Sequence, residues 1–426
     1  MRFLVLDHFF AQDIQALQGA GSEDEWEAIS YELLRAEALR VLPPQVASGF
    51  EAFANPELQG ARERYATVLR EILEDRFTRF PFDALVLPSD TFFYVRAAPA
   101  VAHALGVPLL VVQKETTVSE QSLRTHAERM RRYAPPLADR MTVCSERHKG
   151  FWLRAGGEDE RIEVTGQPRF DFYAERSRAP AAAGKDPSVL FLSYATDAYH
   201  PDEGRGEPAW ERLHRETEQG LQELARRGWR VLIKPHPQQP ADQLEAWRRR
   251  AGELWASRLV PIPPDADVRP LIIGVDAIVG FQSTAMLEAM IAGRPVLYTG
   301  WDPQAAALDA LLIPFHRWEG AVTVLRTPGE LPDAVVAARG ARCSEATTRT
   351  RREIAERYLG PLDGRASARA VAILRAEAQR WQARRSEPER ELRRRLAGRR
   401  PPLRLARRGR AFRRAARRRL GAALGR

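Results

Sequence analysis

VDAIVGFQSTAMLEAMIAGRPVLY, residues Val275 to Tyr298, is the stretch that decides the fold. Ala277 to Val279 is a short apolar run closed by Gly280, the pattern of a buried strand running into a tight turn. Ser283 and Thr284 then open a helical pattern with Met286, Leu287, Met290 and Ile291 on one face. Gly293 stops it, and Pro295 to Tyr298 reads as the next strand. Strand, turn, helix, strand is the unit of a parallel sheet. At the turn, free backbone N–H groups and two hydroxyls meet the positive end of a helix, which suits a phosphate. Glu288, one turn further on, can accept hydrogen bonds from a ribose diol. The same residues also fit a plain helix cap and a surface glutamate, and this stretch alone leaves both readings open.

The flanking chain repeats the alternation. Phe3 to Leu6 is a strand followed by Asp7 and His8, at the edge where open α/β sheets bind ligands. Glu25 to Leu42 and Ala61 to Phe77 carry helical patterns. Strands follow at Asp83 to Pro88, Leu109 to Val112, Met141 to Cys144 and Ile162 to Thr165, with helices between. A segment rich in Ala, Pro and Gly, residues 177–187, reads as a linker. Beyond it, strands begin at Val189, Arg230 and Leu259, then at Ala277, Pro295 and Thr323. Helical patterns at Glu330 to Arg339, Thr347 to Tyr358 and Ala366 to Arg384 close the series. The expectation is α/β: an N-terminal domain over 1–176, a linker over 177–187, a C-terminal domain over 188–383 and a tail over 384–426.

At 426 residues the chain is too long for one ordinary core, so two domains are expected. No window of 18 uncharged apolar residues suggests a membrane-spanning helix. MRFLVLDHFF lacks the pattern of a signal peptide. Cys144 and Cys343 have no metal-ligand spacing and fit a reducing cytoplasm. The net charge of +10 is segregated: residues 384–426 hold 18 Arg and 3 Glu, a net +15, which leaves −5 on the first 383 residues. In that tail Leu405, Phe412, Ala416, Leu420 and Ala423 fall on one side of an ideal helix, with arginines around the rest. Such a helix is expected to lie on an anionic membrane surface. The body shows no nucleic-acid module, so nucleic acid is not the expected partner.

The chain has 62 Arg but only four Lys, at 114, 149, 185 and 234. One of these opens KPHP, Lys234 to Pro237. Prolines flank His236, stop the strand and fix the local backbone. An ammonium and an imidazole projecting past the strand edge can bind a diphosphate and stabilise a leaving group; a strand end with an exposed lysine is the plainer alternative. The sequence has no Walker A pattern, no intact GxGxxG and no DxD pair, so neither a metal nor a separate cofactor is expected.

Four pieces carry a family resemblance: VTGQPRFD at Val164 to Asp171, KPHP, GFQSTAMLEAMIAGRPVL at Gly280 to Leu297, and YLGPLDGRASARAVAIL at Tyr358 to Leu374. In this order and spacing the chain resembles the glycosyltransferase-B (GT-B) transferases of bacterial surface polysaccharides. The C-terminal half is most similar to the CDP-glycerol glycerophosphotransferase and capsule polysaccharide transferase group. UDP-N-acetylglucosamine 2-epimerases share this fold and similar pieces. The resemblance implies two Rossmann-like domains facing across a cleft, with the donor nucleotide on the second and the acceptor on the first. Lys234, His236, Gly280, Ser283, Thr284, Glu288 and Gly166 would then hold the nucleotide and its phosphates, and His236 would also serve the chemistry. The implied partners are a nucleotide-activated donor and a polysaccharide or lipid-linked acceptor.

One departure matters. Many relatives carry a His-Gly pair after the N-domain strand that here ends in VVQKETT, and that pair supplies the base. This chain has Gln113, Lys114 and Glu115 instead. Glu115 or Asp90 is therefore expected as base, since a carboxylate in a cleft can have its pKa raised toward the working pH. Lys114 and His8 fall on the acceptor side. A salt-bridged loop accounts for Lys114 and Glu115 equally well. Loss of the His-Gly pair also leaves open a non-catalytic scaffold that binds a polymer or lipid carrier.

Overall fold

A computed structural model describes residues 1–7, 10–114, 119–176, 186–197, 210–237, 239–341 and 343–398. These fall into two compact units, one drawn from the described residues within 1–114, 124–171 and 360–398, the other from those within 119–123 and 172–359. Each is built on a sheet of six parallel strands.

The first unit contains β1 (Arg2–Leu6), β2 (Glu25–Ile29), β3 (Ala84–Leu87), β4 (Leu109–Val112), β5 (Arg140–Val143) and β6 (Ile162–Val164), in the order β2-β1-β3-β4-β5-β6. The middle strands are continuous apolar runs, FLVL, ALVL and LLVV, because helices cover both faces of a parallel sheet. The 25–42 segment is not one helix as its sequence suggests. Glu25–Ile29 pairs with β1 in parallel, and a helix follows at Tyr31–Leu39. EWEAI alternates with period two, and Trp26 packs tilted against Phe3 at 4.6 Å between ring centroids, as a half-covered edge strand requires.

The chain leaves this unit after Asp171 and returns at Gly360. The helix Ala366–Arg384 belongs to the first unit, not with the second domain as its place in the sequence suggested. Its Ala370, Val371, Leu374 and Ala378 join Phe3, Val5, Leu17, Val86 and Leu110 in one core cluster. Two further sequence pieces make the return. Asp171 caps that helix by accepting from the N–H groups of Ala366 and Ser367 at 3.0 and 2.8 Å. Arg369 donates to the Thr165 carbonyl at 2.7 Å.

The basic tail also needs correction. Residues 384–398 are part of the fold. Ser386 and Glu389 form a capping box for the helix Glu387–Ala397. Leu396 is buried, Arg385 donates to the Gly106 carbonyl, and Arg393 donates to those of Leu105 and Phe82. Arginine stems pack on apolar surface while their guanidinium groups satisfy carbonyls at a helix end and in the loop before β3, so net charge did not keep this segment out of the fold. The amphipathic stripe from Leu405 to Ala423 lies outside the described residues. Among those described, no helix is long and apolar enough to cross a membrane.

The second unit contains β7 (Ser188–Leu192), β8 (Arg230–Lys234), β9 (Leu259–Pro261), β10 (Ala277–Gly280), β11 (Val296–Thr299) and β12 (Thr323–Leu325), in the order β12-β11-β10-β7-β8-β9. Counted from β7 this is the 3-2-1-4-5-6 order of dinucleotide-binding sheets. The winding reverses between β7 and β10, whose register pairs Leu192 with Gly280. In such sheets ligands bind in the crevice outside the carboxyl ends of the strands at that reversal.

Candidate functional site

The reversal of the second unit gathers three strand ends. Ser193 follows β7, Pro235 and His236 follow β8, and Phe281 to Ser283 follow β10. Backbone bonds tie the first two together: Ser193 N–H donates to the Lys234 carbonyl at 3.0 Å, and His236 N–H donates to the Ser193 carbonyl at 3.1 Å. Gly280 ends the third, with little room beside its Cα. A Cβ there would sit 3.0 Å from the sulfur of Met286, where the following helix folds back over the strand end. Phe281 turns inward among Trp210, Tyr194 and Tyr298, with ring centroids at 4.7, 5.4 and 5.6 Å. Gln282 is buried and holds both backbone groups of one residue: it accepts from Ile313 N–H at 2.7 Å and donates to the Ile313 carbonyl at 3.1 Å.

With Phe281 and Gln282 anchored, Ser283 and Thr284 present the start of the helix Thr284–Ile291. Ser283 is the N-cap, its hydroxyl accepting from Ala285 N–H at 3.3 Å. Both residues are half-buried. Their N–H groups belong to the orphan donors of a first helical turn, which together with the helix dipole favour an anion. His236 is exposed at the end of β8, with β7 between it and β10. Gly280, Ser283, Thr284 and His236 therefore stand along one sheet edge, as their sequence positions suggested.

Other expected residues stand elsewhere. Lys234 is buried, and its ammonium donates to the carbonyls of Pro264 and Pro235 at 2.7 and 3.1 Å. Burial lowers its pKa, against the opposing pull of Asp265 and Asp267. It fastens the loop before the helix Val268–Gly274 and does not project past the strand edge. Glu288 is also buried, where it accepts from the Tyr173 hydroxyl at 2.8 Å. Burial, then the Glu288 charge, raise the Tyr173 pKa well above that of an ordinary phenol, so the phenol stays a donor. Glu288 is thus an internal anchor and not the surface residue that the sequence also allowed. Gly166 belongs to the first unit. It has φ +83°, and a Cβ there would lie 2.9 Å from the Pro361 carbonyl oxygen, so it accommodates the returning chain and not a phosphate.

Asp90 has no exposed surface. One carboxylate oxygen accepts from the N–H groups of Leu137 and Ala138 at 2.5 and 2.9 Å, and the other has no hydrogen-bond partner among the described residues. Burial raises its pKa, outweighing the two amides and Arg96. In this position it holds the loop before β5. Lys114 is half-buried, its N–H 3.3 Å from the Pro88 carbonyl. Glu115 and His8 lie outside the described residues.

One constellation has no counterpart in the sequence reading. Ser193, His214 and Glu218 are buried and hydrogen-bonded in line beneath the same strand ends. The i, i+4 spacing of His214 and Glu218 was the available signal.

No family model and no curated protein matches this chain. Solved structures do. The wall teichoic acid polymerase TagF (H548A) aligns with a TM-score of 0.54 at 11% identity, over 90% of both chains. The UDP-GlcNAc 2-epimerase of Methanocaldococcus jannaschii aligns at 0.51 and 18%, over 88% of this chain and 100% of that one. The UDP co-structure of MnaA from S. aureus aligns at 0.50 and 14%, over 86% of this chain and 94% of that one. The chain has the GT-B fold of these enzymes.

Proposed function

We propose that this chain is a GT-B enzyme acting on a nucleotide-activated donor. Its reaction is the transfer of a sugar or glycerol-phosphate group to a surface-polysaccharide or lipid-linked acceptor. The observation that carries the reading is the coincidence, at the winding reversal of the second unit, of a serine-capped helix start after β10 and an exposed histidine after β8, on strand ends separated by β7 alone. The N–H groups and hydroxyls of Ser283 and Thr284 receive the diphosphate. His236 adds a donor that helps charge build up on the departing nucleotide. Glu115, kept from the sequence alone, is the carboxylate assigned to deprotonate the acceptor hydroxyl, which then attacks the anomeric carbon or the glycerol-phosphate phosphorus. Lys234, Glu288 and Gly166 support the fold around the two units' strand ends and take no part in binding.

Titration calorimetry with UDP and CDP in EDTA tests the site. His236→Ala is expected to weaken the nucleotide that binds by roughly tenfold or more, the loss of one charge-assisted hydrogen bond. If neither nucleotide binds the wild type, the reading is wrong. An epimerase is the second reading, since the fold is shared with UDP-GlcNAc 2-epimerases. Incubation with UDP-GlcNAc separates the two: a C2 epimer formed without acceptor selects the epimerase.

A further inference from the structure

Four side chains are joined in line under the strand ends of the second unit. Ser193 Oγ lies 2.9 Å from His214 Nε2, and His214 Nδ1 lies 3.0 Å from Glu218 Oε1. Glu218 Oε2 accepts from Nε and Nη2 of Arg250 at 3.1 and 2.5 Å. Ser193, His214 and Glu218 are 4%, 4% and 2% exposed, and the Arg250 side chain at the far end of the line is 46% exposed. The chemistry proposed above uses none of them.

The donors fix the polarity of the line. Glu218 Oε2 accepts twice from Arg250, and with Oε1 as an acceptor His214 Nδ1 carries the hydrogen of their bond. In a neutral imidazole Nε2 is a lone pair and must accept the Ser193 hydroxyl hydrogen. Ser193 then has no hydrogen for any other partner. One proton added at Nε2 reverses that bond: the imidazolium donates to Oγ, and the Ser193 hydrogen is released to a second acceptor.

Ser193 is also placed to sense the crevice. It directly follows Leu192, which pairs with Gly280, and its carbonyl receives the N–H of His236 at 3.1 Å. A phosphate there would be one hydrogen-bonded side chain from the imidazole. The rings around His214 are those of Phe191, Tyr194 and Trp247, which are uncharged at neutral pH. The charges facing it are Glu218 on its own helix and Arg250 on the helix Ala241–Ala251, of opposite sign. Lys234 on β8 is turned to the Pro264 carbonyl. A bound phosphate is therefore the unbalanced charge, and an anion nearby favours the protonated imidazole.

We infer that Ser193, His214, Glu218 and Arg250 form a proton-holding relay, in which a nucleotide diphosphate in the crevice draws one proton from solvent onto His214 Nε2. The Ser193 hydroxyl then turns from the imidazole to a phosphate oxygen. Release of the nucleotide returns the proton. Ser193 is thus a binding residue and His214 a positioning residue. The inference rests on the nucleotide reading given above.

The test uses full-length protein labelled with 15N-histidine at pH 8, titrated with UDP and with CDP. Long-range 1H–15N spectra read the protonation of each imidazole nitrogen. His214→Asn and His236→Gln assign the two rings, and Ser193→Ala, which perturbs only the His214 signals of the pair, gives a second assignment. His214 is expected as the neutral Nδ1–H tautomer alone and doubly protonated at saturation. In wild type the Kd should rise with pH by up to about tenfold per unit, and Ser193→Ala should flatten that slope. A nucleotide that saturates the protein while His214 stays neutral overturns the relay and leaves the nucleotide site standing. Absence of binding by both nucleotides overturns the site and the relay together.

Discussion

The ammonium of Lys234 donates to the carbonyl of Pro264 across 2.7 Å, joining the end of β8 to the loop that precedes the next helix but one in the sequence. Among four lysines in an Arg-rich chain this one is inside, and its rarity reflects a structural strut. Lys234→Met keeps the stem and removes the donor. It should cost about 1–3 kcal/mol, because two carbonyls lose a charged partner while a buried charge is also relieved. Urea unfolding measures that loss. UDP or CDP affinity should change by less than about threefold, which is under 1 kcal/mol. Unchanged stability with a tenfold loss of affinity would return Lys234 to the phosphate site.

Asp90 makes a pH-dependent contribution of definite sign. Burial lifts its folded pKa above the ordinary aspartate value of 3.8. The folded state therefore holds its proton over a range where the unfolded chain has lost it. The stability from this group is fully present below 3.8 and is lost as pH rises through the raised folded value. Asp90→Asn imitates the protonated form. It should match wild type near pH 3.5 and melt higher than wild type as pH rises above 3.8. The two melting curves converging with rising pH would show that Asp90 is ionised and at ease in the fold.

Gly360 stands where the chain re-enters the first unit. Its φ is +83°, and a Cβ would fall 1.5 Å from the carbonyl oxygen of Cys144. No rotamer relieves that clash, because both partners are backbone. Gly360→Ala combines it with a left-handed conformation that alone costs about 1–2 kcal/mol. Thermal unfolding should show an early transition that releases the helix Ala366–Arg384, detectable as faster amide exchange at Val371 and Leu374. Exchange there equal to wild type would mean that the return segment is not held at Gly360.

The pattern of residues reveals the sheets better than it reveals the site. AIVG and VLFL are apolar on both faces because they are central in a parallel sheet, so β7 and β10 are legible without any partner in view. Edge strands are harder: Glu25 to Ile29 alternates, and its helical neighbour Tyr31–Leu39 masks it. The apolar stripe of Ala370, Val371 and Leu374 shows that a helix needs a core but not which core, and the nearer unit in sequence was the wrong one. At KPHP the strand end was legible and the direction of Lys234 was not, since that depends on a loop 30 residues away. Ser193 and His214 stand 21 residues apart and meet only because the helix Glu211–Arg226 packs across the end of β7.

We propose that residues 399–426, which carry 12 Arg and no acidic residue, bind an anionic membrane surface. Residues 385, 393 and 396 pack on the first unit, so a truncation near 383 would damage the fold and confuse the result. A chain ending at Gly398 is the informative one. Each Arg near an anionic bilayer contributes about 1 kcal/mol, and Leu405, Phe412 and Leu420 supply an apolar edge. Full-length protein should co-sediment with vesicles containing phosphatidylserine, release as salt is raised, and ignore vesicles of phosphatidylcholine alone. The chain ending at Gly398 should stay in solution with both and keep the wild-type melting temperature. Equal sedimentation of the two chains would remove the anchor. Retention of the full-length chain by duplex DNA but not by anionic vesicles would assign the same arginines to a nucleic-acid partner.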